Sequence, residues 1–335
     1  MQIVNFFNTI IIVMIVMGFL ASFLCVHLFI KKIKQNQTLS ILVYKIFVGI
    51  FFLGTLFILY GSYIEPYRIV VKEEEINLCR TDVCSLIRVG LIADTHVGPY
   101  THIAHLDRIA ARINSLDPDV TVFPGDLVAF NSEQLSLLEP LSAIVSPLYV
   151  TLGNHDHDHT EQHGSIPASD RTRSSEITEL FPSILPEAQL LRDEITYIQT
   201  PGGTMRILGQ NDWWYTYKKN LVDFDDRRFP QAHDLSMLIQ HNPDGAFDQD
   251  ISGVDVVVSG HTHGGQIRLP IVGSAWPLPT EAGRQYDQGL FKINKDGNPV
   301  QYLMITSGIG MVGPRARTFN PPEIVILDIY VDEER

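Results

Sequence analysis

Two stretches of the chain, residues 3–30 and 46–64, contain no charged side chain. About 20 apolar residues in a helix cross the hydrocarbon core of a bilayer, so the pattern predicts a transmembrane hairpin over residues 1–64. A cleaved signal peptide is the poorer reading of the first stretch. It has neither a basic start nor a small-residue cleavage motif before KKIKQNQ. Residues 65–86 read as a connector with a short strand leading off the membrane. The pattern then changes to short apolar runs rich in β-branched residues: RVGLIAD, DVTVFPGD, PLYVTLGN, MRILGQ, SMLIQHN, DVVVSGH, YLMITSG and EIVILDIYV. Helix-like stretches lie between several of them, as at 105–116 and 132–145. Strands alternating with helices predict an α/β layered body over residues 87–335. Nearly every run ends in Asp, Asn, His or Gly, which suits the carboxyl ends of strands in an open α/β sheet.

Charge follows the same division. The net charge is −13, and residues 1–64 hold four lysines and no acid, so the remainder carries −17. An acidic body argues against nucleic acid as a partner and favours capture of cations. Lys31, Lys32 and Lys34 lie between the two apolar stretches and Lys45 begins the second. The positive-inside tendency makes that loop cytoplasmic, which places both termini and the body outside the cytoplasm at the cell membrane. Three cysteines are too few for a disulfide framework. Cys25 reads as a packing residue. Cys79 and Cys84 can bridge where that region meets an oxidising compartment; half of a zinc site is the poorer reading, for want of a second Cys pair.

The chemistry sits at the ends of the apolar runs. Asp94-x-His96 ends the first. In a strand, residues two apart share a face, so this pair can aim a carboxylate and an imidazole at one ion. Gly125-Asp126 follows the next run, then Gly153-Asn154-His155-Asp156, then His241 in IQHNPD, then Gly260-His261-Thr262-His263-Gly264. Carboxylates, an amide oxygen and imidazoles together suit Mn, Fe or Zn rather than Ca or a thiolate-loving ion. So many ligands exceed the needs of one cation. Two ions about 3.5–4 Å apart, sharing a carboxylate, would account for them.

In this order the pieces resemble the signature of the calcineurin-like metallophosphoesterases: D-x-H, G-D, G-N-H-[DE], H and G-H-x-H. GHTHGGQIRLP, IQHNPD, SGIG and FNPPEIVIL are similar to the bacterial membrane-associated or exported branch, so the resemblance covers roughly residues 87–331. It implies a four-layer α/β/β/α sandwich and two divalent metal ions. One ion would take Asp94, His96 and His263, with Asp126 bridging; the other would take Asp126, Asn154, His241 and His261. His155 would face the phosphoryl group, oriented by Asp156. The implied reaction is attack on phosphorus by a metal-bridging hydroxide. The membrane tether suggests an amphiphilic phosphate compound as substrate. A UDP-2,3-diacylglucosamine pyrophosphatase is the alternative, and its cytoplasmic substrate requires the opposite topology. A non-catalytic scaffold is a further alternative, disfavoured because no ligand position has been lost.

Other residues have plainer readings. His157, His159 and His163 read as a solvated surface loop rather than a third metal site, and His102 and His105 as ordinary turn and helix residues. Trp213 and Trp214 either wall the substrate or pack under a loop. Arg268, Arg315 and Arg317 are phosphate contacts or surface and ion-pair residues. The run VDFDDRR is a solvated face.

Overall fold

The computed structural model describes residues 2–34, 38–157, 173–214, 234–293 and 301–333. Two helices come first, α1 (Gln2–Lys34) and α2 (Thr38–Tyr63). Phe6–Lys32 and Ile41–Tyr67 are long and apolar enough to cross a membrane. Their side chains are largely exposed, as a soluble body would not leave them. The helices pack closely where Gly18 meets Thr55: a Cβ on Gly18 would lie 2.1 Å from the Thr55 Oγ1. Small residues at a helix crossing allow such an approach.

The body consists of two six-stranded sheets. The first contains β1 (Val70–Asn77), β2 (Cys84–Leu91), β3 (Val120–Pro124), β4 (Leu148–Thr151), β5 (Ala188–Leu190) and β14 (Glu323–Asp332), in the order β1-β14-β2-β3-β4-β5. The second contains β6 (Glu194–Thr200), β7 (Gly203–Gly209), β8 (Leu235–Ile239), β9 (Val256–Ser259), β12 (Gly289–Ile293) and β13 (Gln301–Ile305), in the order β12-β13-β9-β8-β7-β6. β2 through β5 are parallel, as are β7, β8, β9 and β13. Strands covered on both faces read as continuous apolar runs rather than alternating ones, and β3, β8 and β9 are buried at every residue.

The sheets face one another across a core that joins Ile87, Val89 and Leu327 to Met205, Met237, Val256 and Met304. Outside the first sheet, α3 (Ile103–Leu116), a 3-10 segment (Ser132–Ala143) and α4 (Arg173–Ile184) bury Leu106, Ile109, Leu138 and Phe181 against Phe123, Val150 and Ile324. Outside the second, among the described residues, α5 (Gly245–Asp248) and the turn Arg284–Tyr286 supply a thinner cover through Ala246, Phe247 and Tyr286. A two-stranded hairpin, β10 (Arg268–Leu269) and β11 (Gly273–Ser274), stands apart.

All eight apolar runs contain strands. Two boundaries differ from expectation. The segment over 132–145 winds as a 3-10 helix, with Pro140 inside it and unable to donate to an α-helical ladder. The connector 65–86 is part of the body, because β1 pairs in parallel with β14 along its whole length and buries Ile76 in the core. Cys79 and Cys84 are bonded, with S–S 2.05 Å.

Candidate active site

Because β2, β3, β4, β8 and β9 point their carboxyl ends the same way, the loops beyond them meet in one crevice. The Asp94 and His96 pair lies past the end of β2, not on it, so strand pleat is not what aligns the two side chains. Asp94 (φ 54°), His96 (φ 41°), Asp126 (φ 56°), His261 (φ 69°) and His263 (φ 50°) all take left-handed backbone conformations. Each is a non-glycine residue held where the backbone alone would resist, a form of strain that concentrates at functional sites. The turns are packed too tightly for side chains on neighbouring glycines. A Cβ on Gly125 (φ 75°) would fall 2.4 Å from the Gly153 nitrogen, and one on Gly260 would fall 2.3 Å from the Asp94 Oδ2.

Two groups of ligand-type atoms result, each gathered within 4.8 Å: Asp94, His96, Asp126 and His263; and Asp126, His241 and His261. Asp126 belongs to both. Its Oδ2 lies 3.2 Å from His96 Nε2 and 3.1 Å from His241 Nε2. In the first group His96 Nε2 and His263 Nε2 are 2.9 Å apart, and His263 Nε2 is 3.5 Å from Asp94 Oδ1. In the second, Asn154 Oδ1 is 3.0 Å from His241 Nε2, which is 3.2 Å from His261 Nδ1.

The outer contacts fix which nitrogen faces inward. The Pro124 carbonyl lies 2.8 Å from His241 Nδ1 and the Pro279 carbonyl 2.5 Å from His261 Nε2. Carbonyls only accept, so those nitrogens carry the protons and the opposite ones turn lone pairs inward, as in metal-ligating histidines. Two lone pairs and a carboxylate oxygen at these distances repel unless positive charge sits among them. Burial pushes the Asp94 carboxyl up to about 7, with the neighbouring Asp126 charge adding to it. Burial also acts to raise Asp126, but His241, His155 and His96 outweigh it and hold that carboxyl well below its ordinary value. Asp126 in turn overcomes burial at His241 and lifts its imidazole to about 10. Burial lowers His96 to about 4 and His261 to about 3. The donor set therefore fits divalent cations, which would take the place of the proton on His241.

His155 is half-buried at the edge of this cluster, its ring edge-on to His96 with centroids 4.7 Å apart. Its backbone N–H donates to Asp126 Oδ1. Asp156 does not orient it. The Asp156 carboxylate is fully buried and accepts from the N–H groups of Leu127, Val128 and Gly153. It joins the loop after β3 to the loop after β4, because three convergent amides are a better partner for a buried carboxylate than a half-exposed ring.

The remaining residues divide unevenly. His157 is buried, against the solvated reading, while His159 and His163 fall outside the described residues, as does VDFDDRR. His102 precedes α3 and His105 is buried within it. Trp213 is buried and its Nε1 donates to Asp248, whereas Trp214 sets its ring edge-on to His261 at 4.6 Å. Of the arginines, Arg268 pairs with Asp287, Arg315 covers the Tyr63 ring and Arg317 is wholly buried. Arg317 donates to the carbonyls of Ser307, Gly308 and Gly310. Gly310 N–H in turn donates to the Asp94 carbonyl, so this arginine steadies the wall behind Asp94. Asn320 was not singled out from sequence. Its Nδ2 donates to the His263 carbonyl and its N–H to Glu65; only the run FNPP near a strand start hinted at a turn there.

Residues 87–265 match the family model for calcineurin-like phosphoesterases. A metallophosphoesterase of Campylobacter jejuni is 27% identical over 304 residues, covering 88% of this chain and 73% of its own. Phosphodiesterase YaeI of Escherichia coli is 28% identical over 281 residues, 81% of this chain and 92% of its own. The UDP-2,3-diacylglucosamine pyrophosphatase LpxG of Chlamydia trachomatis is 28% identical over 288 residues, 72% and 83% respectively. With more than half of its length matched by the family model and a crevice of Asp and His side chains at the strand ends that could hold metal, this chain belongs to the calcineurin-like phosphoesterase family and is a phosphoester hydrolase.

Proposed function

We propose that the protein is a membrane-anchored phosphoesterase that uses two divalent ions, Mn, Fe or Zn, to hydrolyse a phosphate ester or pyrophosphate. The observation that carries this reading is the position of Asp126 Oδ2, within 3.2 Å of one imidazole from each ligand group. Asp94, His96 and His263 would hold one ion, Asn154, His241 and His261 the other, and Asp126 both. Bound there, the ions would acidify a water molecule and neutralise the phosphoryl oxygens. The protein's own part is to fix the ligands through left-handed turns and carbonyl-anchored imidazoles. His155, beside the cluster but outside both ligand groups, would donate a proton to the leaving oxygen.

The division into a hairpin over 1–64, a connector over 65–86 and a body over 87–335 is part of this reading, with β1 assigned to the body. The lysines between the helices support a body outside the cytoplasm, and the Cys79–Cys84 bond is consistent with an oxidising compartment. Amphiphilic phosphates are the substrate class this placement favours. A second reading follows the LpxG relatives: hydrolysis of the pyrophosphate of UDP-2,3-diacylglucosamine, which needs a cytoplasmic body. Purified full-length protein in detergent should hydrolyse bis(p-nitrophenyl) phosphate with added Mn, and chelation should abolish it. Absence of bound metal and of turnover would sink the hydrolase assignment. Labelling a tag at the carboxyl terminus of intact cells separates the two readings of substrate.

A further inference from the structure

Residues 269–279, LPIVGSAWPLP, contain no charged side chain in a body that is otherwise strongly acidic. Unlike the apolar runs of β8 and β9, which are buried at every residue, this one lies on the surface. Ile271 is fully exposed at the tip of the β10–β11 hairpin, with Val272 and Trp276 each 66% exposed and Leu269 44%. Ile271 also takes a left-handed conformation (φ 71°), which a β-branched residue resists. The charges at the hairpin base are engaged with the body: Arg268 is bonded to Asp287 and to the Gly264 carbonyl, and Arg284 donates to the Ser274 carbonyl.

The hairpin is continuous with the apolar helices. Arg268 N–H donates to the Thr318 carbonyl, and Ile267 and Thr318 form a parallel bridge. The next residue, Phe319, is 54% exposed and packs against Phe57 of α2, centroids 5.8 Å apart. Helical rise puts Phe57 about 9 Å from Tyr63 along α2. Tyr63 marks the polar boundary, because it carries the Arg315 guanidinium on its ring. Phe319 is therefore set below that boundary, at a depth where a soluble surface residue has no place. The loop before it also reaches α1, as a Cβ on Gly313 would lie 3.9 Å from Phe7.

We infer that Leu269, Ile271, Val272, Trp276 and Phe319 form an interfacial membrane-insertion patch whose occupant is the acyl region of the lipid bilayer. Aromatic and aliphatic side chains without charge are the chemistry that enters the headgroup boundary. The patch is tied to the site at both ends. It begins a few residues after His263, and the carbonyl of Pro279 at its end holds the His261 ring. A lipid-linked phosphate could thus enter the crevice while its acyl chains stay in the membrane. This deepens the membrane-anchored reading above and rests on it.

The test uses full-length protein carrying Cys25→Ser and Ile271→Cys, labelled with a nitrobenzoxadiazole dye and reconstituted in phosphatidylcholine–phosphatidylglycerol vesicles. Val145→Cys, exposed in the loop before β4 and away from the strand ends that build the site, is the reference. Doxyl groups on the lipid acyl chains should quench the dye at 271 and not at 145, while aqueous iodide should do the reverse. Iodide quenching at 271 equal to that at 145 overturns the proposal. So does a site at 271 shielded from both quenchers, which would mean that a second copy or another protein covers it. In the same vesicles, Ile271→Asp with Val272→Asp should lower turnover of a phospholipid phosphate about tenfold. It should leave turnover of bis(p-nitrophenyl) phosphate unchanged. Equal loss on both substrates refutes the patch, whereas a wild type inactive on both, with 271 still quenched by lipid, refutes the catalytic reading and spares the patch.

Discussion

At the scale of single residues, charge and geometry assign different work to neighbours in one motif. Asp126 and His155 both line the crevice, but only the carboxylate lies in both ligand groups. Asp126→Asn should therefore cut bound metal and activity together, while His155→Ala should keep most of its metal and slow turnover by about 10²-fold or more. Metal content by elemental analysis, read beside kcat, decides it; equal metal loss in both variants would contradict the division. Asp156→Ala is expected to act through stability instead. It strands three buried amides at a cost of about 3 kcal/mol, visible in denaturant titration, and its activity should fall with the folded fraction. His105, on α3 and in neither ligand group, predicts an acid response of its own. Burial lowers its imidazole from 6.5 to about 4. Between those values the unfolded chain takes up a proton that the fold refuses, so this contribution is complete above 6.5 and is lost as pH falls through 4. His105→Gln should flatten the decline of Tm across that window.

At the scale of elements, the strand-end turns are the vulnerable parts. Gly125 sits at φ 75° with the Gly153 backbone against it. Gly125→Ala should cost about 2–4 kcal/mol from left-handed strain and overpacking together. Because it also pushes Asp126 away from Gly153, metal affinity should drop more than in a left-handed glycine variant at the amino end of a strand, such as Gly253→Ala before β9 (φ 82°). Isothermal titration with Mn distinguishes the two. The second coupling at this scale runs from α2 to the site. Glu65, just after the helix, accepts from the Asn320 N–H, and Asn320 holds the His263 carbonyl. The second apolar helix and a proposed ligand loop thus share a buried polar connection.

For the whole molecule, the crevice gathers carboxylates and imidazoles at separations that a proton on His241 or bound cations relieve. Ions that bind the fold and not the unfolded chain should raise its stability by about 2.7 kcal/mol at a hundredfold excess over Kd. Thermal unfolding of the full chain with Mn against chelator should show this as a higher Tm. The shift should shrink in Asp126→Asn, and an unchanged Tm would count against a metal centre. Proton release on binding should accompany it, since the cation displaces the proton that Asp126 keeps on His241.

How much of this was legible beforehand differs by kind. Periodicity and composition were enough for the two apolar helices, the eight buried strands and the ordered ligand motifs, because continuous apolar runs and polar strand ends are local properties. Local pattern could not tell that β1 returns to pair with β14, that Asp156 serves loop amides rather than His155, or that Arg317 is buried behind Asp94. Each of those depends on partners distant in sequence. The Asp94 and His96 pairing was anticipated for the wrong reason, since left-handed turns and not pleat bring the side chains together. The sequence alone determined which groups could bind metal. Only tertiary structure decided that they share one oxygen of Asp126, because inter-residue distance is set by how strands from two sheets pack, and no residue carries that information by itself.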